Sequence, residues 1–342
     1  MRNEMKVYLF NFIIFISILV IIISGCKTEK RLEREKVTDT IIKPTAIVPD
    51  FNADSAYYFI QRQVEFGPRI PNTPPHIHTG NYLVEKLKEF NAKVEVQEFQ
   101  ETTYNGSILF LQNIIASYYP DKTRRILLAA HWDTRPFSDK DTTNPKNAFD
   151  GANDGGSGVG VLLEVARILS TEEPDNAGID IIFFDGEDYG EPEFYEGDPV
   201  NTGRSHWCLG SQYWSKNKQN KNYMAYYGIL LDMVGAKDAT FYKEGGSMQF
   251  AKKIVEKVWE AGYSSGYNQY FVNNTSPGIT DDHIFVNQDA KIPMINIVEY
   301  NPESPGSYFG AYHHTQQDNL TLIDSNTLKA VGQTLLYVIF NE

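Results

Sequence analysis

The sequence predicts a single α/β domain built on a mostly parallel central sheet with helices on both faces. Four short apolar runs have the length and composition of buried central strands: residues 125–130, 179–184, 227–231 and 294–298. Helical patterns separate them, most clearly at 158–169 and 248–261. Because parallel strands need a long crossover connection, usually a helix, this alternation favours a parallel sheet.

Shorter elements precede these strands. Apolar residues at helical spacing cover 53–66, a second helix is predicted at 82–90, and a strand follows at 93–99. A run containing Gly and Pro, 66–71, separates the two helices. A chain of 342 residues can place all of these elements in one large domain, which we expect to span residues 51–342.

The N-terminus carries a targeting signal. A positively charged start, an apolar run at 7–23 and the small residues Ser24 and Gly25 before Cys26 describe a secretory signal peptide over residues 1–25. The junction resembles the lipobox of bacterial lipoproteins, in which the cysteine becomes the lipidated first residue. An uncleaved transmembrane anchor is the alternative, since an apolar run of about 18 residues can span a bilayer.

Either interpretation places the folded domain outside the cytoplasm, in a bacterial cell envelope and facing the periplasm or the surface. In the lipoprotein interpretation, the membrane is a partner through the lipid on Cys26. Residues 26–50 are charged at first and then contain Thr and Pro, which predicts a flexible tether.

Charge and cysteine content narrow the function classes. The formal net charge is −13, so nucleic acid is excluded as a partner because phosphate binding needs a basic surface. An acidic protein instead tolerates cationic groups such as the free amine of a peptide.

Of the two cysteines, a lipidated Cys26 leaves Cys208 without an intrachain partner, and we expect Cys208 to be a packed small side chain.

Histidines and carboxylates follow the ends of the predicted central strands. In open α/β sheets, sites lie just beyond the carboxyl ends of the strands. Zinc binds imidazole nitrogen and carboxylate oxygen, which makes five residues candidate ligands: His131, Asp154, Asp188, Asp232 and His314. Singly, each has an ordinary interpretation, and Asp154 is equally placed to cap the helix that follows its glycine-rich loop. The metal prediction depends on the five occurring together, and Asp133 is placed to orient His131.

Several segments, taken in order, carry a family resemblance. They are His131-Trp132-Asp133, Gly151-Ala152-Asn153-Asp154, Phe183-Phe184-Asp185-Gly186-Glu187-Asp188, Leu231-Asp232-Met233-Val234-Gly235, Asp281-Asp282-His283 and His314-Thr315. Together they resemble the co-catalytic zinc aminopeptidase superfamily and, within it, the glutaminyl cyclases. The similarity runs from about residue 66 to about residue 324 and implies a zinc aminopeptidase-like fold.

The resemblance implies a set of metal ligands. Asp154, Asp188 and His314 would bind one zinc ion. In the aminopeptidase relatives, His131 and Asp232 would hold a second zinc, whereas the cyclases retain equivalents of these residues and work with one. We therefore expect one zinc, and the sequence leaves two zincs open.

The resemblance also implies a reaction. A glutaminyl cyclase converts the N-terminal glutamine of a peptide or protein to pyroglutamate and releases ammonia, with zinc polarising the γ-carboxamide. Glu187 would be the general acid/base, and Asp232 and Asp282 would be hydrogen-bonding carboxylates beside it. The alternatives are a zinc aminopeptidase, in which the same glutamate activates water, and a lipoprotein that binds peptide or carbohydrate without catalysis.

The chain departs from the family pattern at three places. The usual Glu-Glu pair is Glu187-Asp188 here, and the shorter arm of Asp188 would draw the metal towards its strand. His313 stands where animal cyclases often have Trp, and it is expected at the pocket with less stacking surface. Residues 189–204 differ from the animal enzymes, and Trp207 just beyond them is a candidate pocket wall.

Overall fold

The computed structural model describes residues 47–304 and 308–342. The predicted signal peptide, Cys26 and nearly all of the predicted tether lie outside the described residues. The described residues belong to one folded unit. Within these two ranges, no helix has both the length and the apolar character needed to cross a membrane.

Two sheets are present in the described chain. Their strands are β1 Lys93–Thr102, β2 Ile108–Tyr118, β3 Arg125–His131, β4 Gly178–Phe184, β5 Tyr227–Asp232, β6 Phe241–Lys243, β7 Phe271–Thr275 and β8 Met294–Val298. The central sheet has six strands in the order β1-β2-β4-β3-β5-β8, and β6 pairs with β7 in the small one. Strands β4, β3, β5 and β8 are parallel neighbours, while β2 runs antiparallel to both β1 and β4. The predicted mostly parallel sheet is confirmed.

Helices cover both faces of the central sheet. They are α1 Ala53–Glu65, α2 Pro74–Glu89, α3 Gly156–Leu169, α4 Leu209–Lys216, α5 Gly245–Ser264, α6 Asp282–Phe285 and α7 Ser325–Phe340. Alternate residues of β3 point to opposite cores: Leu128 joins the large core that includes α1, α3 and α7, and Leu127 joins a smaller one with Trp214 of α4. This confirms the predicted two-sided α/β layering.

Helix α2 and strand β2 differ from the sequence prediction, and three helices and two short strands were not predicted: α4, α6, α7, β6 and β7. Helix α2 starts at Pro74 rather than at residue 82, because proline is well accommodated in the first turn of a helix, where its missing N–H is not needed. Strand β2 was not predicted, and it inserts antiparallel between β1 and β4. Helix α2 and strand β2 lie on the side of the sheet that carries β1, since α2 packs against both β1 and β2.

The carboxyl ends of β3, β4 and β5 lie side by side, and they position the candidate residues. His131 is the last residue of β3 and Asp232 the last of β5. The loop before α3 reaches the same edge through Gly155, which has φ 75°. A Cβ at Gly155 would lie 2.7 Å from the Asp133 carbonyl oxygen and 3.0 Å from the His131 ring, so only glycine permits this approach.

Candidate metal-binding and catalytic site

The five candidate ligands meet in one buried cluster centred on Asp154. Its Oδ1 lies 3.0 Å from His131 Nε2, which is itself 3.3 Å from Asp232 Oδ1. Its Oδ2 lies 3.6 Å from His314 Nε2, which is 3.3 Å from Asp188 Oδ1. The structure therefore brings the five together as two adjoining groups that share one carboxylate.

The side chains fit a divalent cation. Asp154 Oδ2 and Asp188 Oδ2 are buried and have no hydrogen-bond partner within the described residues. A buried carboxylate oxygen without a donor is costly, and a bound cation removes that cost. Carboxylate oxygen and imidazole nitrogen are also the donors that zinc prefers. Among the described residues, three sets of candidate ligand atoms each lie within 4.8 Å of one another: Asp154, His313 and His314; His131, Asp154 and Asp232; and Glu187, Cys208 and Asp281.

Asp154 is held through its backbone. Asp318 accepts hydrogen bonds from the amides of Asn153 and Asp154, at 2.7 and 3.0 Å. The Arg69 guanidinium donates to the carbonyl oxygens of Gly151 and Asp154, at 2.6 and 3.2 Å. Burial and the charge of Asp154 raise the pKa of Asp318 to about 7. The sequence predicts no role for Arg69 or Asp318, although Asp318 begins the Asp-Asn pair that follows the His-Thr motif.

Asp133 holds the two carboxylates that follow β4. Its Oδ1 and Oδ2 accept hydrogen bonds from the backbone amides of Glu187 and Asp188, at 3.0 and 3.1 Å. The nearest approach of Asp133 to His131 is longer, 3.5 Å between Oδ1 and Nδ1. The predicted neighbourhood of Asp133 and His131 is present, but the hydrogen bonds of Asp133 go to the Glu187-Asp188 pair.

Glu187 lines the same cavity as the ligand residues Asp154, Asp188 and His314. Its Oε1 accepts a hydrogen bond from the Cys208 thiol at 3.1 Å, and Asp281 is within 4.8 Å of both. Burial raises the pKa of the Glu187 carboxyl well above its usual value, and the charges of Asp281 and Asp188 add to that effect. Burial likewise raises the pKa of Cys208, so the thiol stays protonated as a donor. Such surroundings suit a carboxyl that gains and loses a proton.

The structure brings Asp281 to the cavity, where the sequence pointed to its neighbour Asp282. Asp281 lines the cavity and caps α6, and its Oδ2 accepts a hydrogen bond from the Asn296 amide at 2.6 Å. Asp282 is fully buried and is not among the residues that line the cavity. Burial and the charge of Asp281 raise the pKa of Asp282 well above its usual value.

Asp232 lines the same cavity as Glu187 and Asp281. Burial raises the pKa of Asp232 to about 7, although its hydrogen bond with His131 opposes that shift. Three carboxyl groups thus face one space beside the ligand cluster. They offer acceptors, and in protonated form donors, to a bound polar group.

The cavity has a volume of about 470 Å³, which is ample for the end of a peptide. Trp207 and His313, the predicted pocket residues, both line it. The Trp207 ring is parallel to the His314 ring within 4°, with centroids 6.3 Å apart. Lys140 Nζ lies 2.8 Å from His313 Nδ1 and fixes the orientation of that ring.

Comparison with known proteins places this site in a family. The family model of peptidase family M28 matches residues 113–339. A zinc-dependent exopeptidase from Parabacteroides distasonis has 52% identity and a TM-score of 0.83, over 86% of this chain and 100% of that chain. The glutaminyl cyclase of Bacteroides thetaiotaomicron, bound to N-acetylhistamine, has 51% identity and a TM-score of 0.82 over the same shares. The glutaminyl-peptide cyclotransferase of Drosophila melanogaster is 26% identical over 283 residues, 76% of this chain and 73% of that protein.

Proposed function

We propose that this chain, which belongs to peptidase family M28, is a glutaminyl-peptide cyclotransferase. It converts the N-terminal glutamine of peptides and proteins to pyroglutamate and releases ammonia. The observation that carries the proposal is the set of carboxyl groups around Glu187, directly beside a buried ligand cluster, in a chain half identical to a bacterial glutaminyl cyclase along that protein's whole length.

We assign one zinc ion to Asp154, Asp188 and His314. The assignment is supported by the oxygens of Asp154 and Asp188 that lack partners among the described residues, and by His314 Nε2 lying between the two carboxylates. When bound, zinc supplies a Lewis acid that polarises the γ-carboxamide oxygen of glutamine. His131 and Asp232 occupy the other side of Asp154, and metal analysis of the purified protein distinguishes one ion per chain from two.

Glu187 moves the proton. The α-amino nitrogen of the substrate attacks its own γ-carboxamide carbon, so one C–N bond forms and the bond to the amide nitrogen breaks. Glu187 takes a proton from the attacking amine and delivers it to the departing nitrogen, which leaves as ammonia. Asp281 and Asp232 accept hydrogen bonds from the amine and the amide. Because nucleophile and electrophile belong to one residue, holding that residue folded supplies much of the rate.

The alternative is a zinc aminopeptidase, in which Glu187 would activate water. It is the weaker candidate, because the similarity to named cyclotransferases extends from a bacterial to an insect enzyme. Two matched peptides separate the reactions, one starting with Gln and one with Leu. A cyclase releases ammonia from the first and leaves the second intact, whereas release of free Leu from the second would reverse the assignment. A Gln peptide with an acetylated N-terminus is the control, because its nitrogen cannot attack.

We further propose that the enzyme is lipid-anchored in the cell envelope through Cys26. The support is the run of small residues before Cys26 after an apolar segment. Its substrates would then be N-termini of peptides and proteins outside the cytoplasm.

A further inference from the structure

A buried ion pair lies against the ligand cluster. Arg135 Nε and Nη2 donate to Asp139 Oδ1 and Oδ2 at 2.8 and 2.6 Å, a two-pronged contact. Both side chains are only 1% exposed. A fully buried pair is seldom retained for stability alone, since packed apolar residues of similar volume often serve as well. Its contacts indicate what it does.

Asp139 contacts His314. Its Oδ1 lies 3.4 Å from His314 Nδ1, while Nε2 of the same ring faces Asp154 and Asp188. The next residue, Lys140, donates its backbone amide to the His314 carbonyl oxygen at 3.1 Å. His314 has φ 56°, a left-handed conformation that a residue with a side chain adopts only when its surroundings hold it there. The segment Asp139-Lys140 thus holds both the ring and the backbone of His314.

Arg135 contacts the second ligand and a pocket wall. Its Nη1 lies 3.5 Å from Asp188 Oδ1 and 3.3 Å from the Asp188 carbonyl oxygen. Its guanidinium lies 4.6 Å from the centre of the Trp207 ring. It also donates to the carbonyl oxygens of Gly190 and Glu191, at 3.4 and 3.2 Å. One side chain therefore fixes the start of the loop after Asp188 and the aromatic wall beyond it.

We propose that Asp139 is the positioning residue for His314, and that Arg135 positions Asp188 and Trp207. This rests on the proposed zinc site. A carboxylate at Nδ1 selects the tautomer with hydrogen on that nitrogen, leaves the lone pair of Nε2 towards the metal position and makes it more basic. Arg135 balances the buried charge of Asp139 and links the metal position to the substrate wall.

The test is zinc affinity, measured by chelator competition on the full-length protein. Asp139→Asn keeps the size of the side chain and should weaken zinc binding roughly ten- to hundredfold, the usual effect of losing such a partner. The matched control is Asp141→Asn on the same loop. Asp141 accepts hydrogen bonds only from the backbone amides of Thr143, Asn144 and Gln316 among the described residues, and its loss should leave zinc affinity unchanged.

Asp139→Asn leaves the Arg135 charge unpaired, so a second variant guards against misfolding. In Arg135→Met with Asp139→Asn both charges are gone, a change that buried pairs often tolerate, and zinc should still bind more weakly. Arg135→Lys keeps a charge beside Asp139 but loses the two-pronged contact and the ring contact, so KM for a Gln peptide should rise and zinc affinity should fall less than in Asp139→Asn.

Wild-type zinc affinity in a folded Asp139→Asn protein, or an equal loss in the Asp141 control, overturns the proposal. The zinc measurement does not depend on the reaction. If the wild type fails to release ammonia from Gln peptides while Asp139→Asn loses zinc, the proposed function fails and the positioning role stands.

Discussion

Replacing Glu187 with Gln separates the proton carrier from the metal ligand that follows it. The amide has the size of the carboxylate, and its oxygen can still accept the Cys208 thiol hydrogen bond. The backbone amide of residue 187 remains bound to Asp133, so the local fold is preserved. Only the capacity to accept and return a proton is removed.

The expected loss follows from that single change. General acid–base catalysis contributes roughly two to four powers of ten, which corresponds to about 2.7–5.4 kcal/mol of activation free energy. Glu187 is not one of the three assigned zinc ligands, and its Oε1 accepts a hydrogen bond from Cys208, so zinc content should stay near the wild-type value. The loss should appear in kcat, with KM for a Gln peptide little changed.

Asp188→Asn is the matched comparison, because it changes the adjacent residue by the same chemistry. Asp188 Oδ1 lies 3.3 Å from His314 Nε2, and its Oδ2 has no hydrogen-bond partner within the described residues. Removing the negative charge from a ligand should weaken zinc binding, and added zinc should restore part of the activity.

Both variants are assayed for zinc per chain and for ammonia released from a Gln peptide. The reasoning is refuted if Glu187→Gln empties the metal site while Asp188→Asn keeps it. The roles of the two residues would then be reversed. Equal loss of zinc in both variants would also contradict the reasoning, because it would mean that changing the Glu187 side chain disturbs the metal site although Asp133 still holds both backbone amides.

Three further predictions follow from other parts of the chain. Asp281→Asn should raise the activation free energy by about 2 kcal/mol, the usual contribution of a hydrogen bond to a charged group, and so lower kcat roughly thirtyfold. Asp282→Asn should lower kcat much less, and steady-state kinetics of the two variants compares them. Burial opposes ionisation of Glu244, but its hydrogen bond with His283 and other donors lower its pKa to about 2. The ionised Glu244 carboxylate therefore adds roughly 3 kcal/mol to the free energy of unfolding above pH 4.5, and this contribution is lost as the pH falls towards 2. Urea unfolding of Glu244→Gln at neutral pH should show a free energy of unfolding lower by that amount. Cys26→Ser should release the protein from membranes, and an intact Met1 on the purified wild type would contradict lipidation.

The residues at the strand ends could be predicted from the sequence. Strands β3, β4 and β5 end within one residue of the predicted positions. The same change of composition, from an apolar run to histidine or carboxylate, marks both the end of a buried strand and the edge where parallel strands present their side chains. In these three strands, the end of the hydrophobic pattern therefore also marks the position of the site. The five candidate ligands lie together in the structure.

Contacts across the fold could not be predicted in this way. Strand β2 contains Gln112 and Asn113 in the middle of its apolar run, and Asn113 is buried because it accepts a hydrogen bond from the Asp185 amide and donates to the Gly210 carbonyl oxygen. Such a residue breaks a hydrophobic pattern while satisfying a buried backbone. The sequence also pointed to Asp282, whereas Asp281 lines the cavity. Neighbouring residues at the start of a helix point in different directions, and sequence order alone does not say which of them faces the cavity.

Each proposed zinc ligand is held by an aspartate of its own. Asp133 accepts hydrogen bonds from the backbone amides of the ligand Asp188 and of the residue before it. Asp318 does the same for the ligand Asp154 and the residue before it. The third contacts the far nitrogen of the histidine ligand. The pairs are Asp133 with Asp188, Asp318 with Asp154, and Asp139 with His314. The backbone amides stabilise the buried negative charge of Asp133 and Asp318, and the same hydrogen bonds hold the ligand backbone in place. The ligands are therefore already ordered when an ion binds. Little free energy is then spent on ordering them, and the site gains affinity and a constant geometry together.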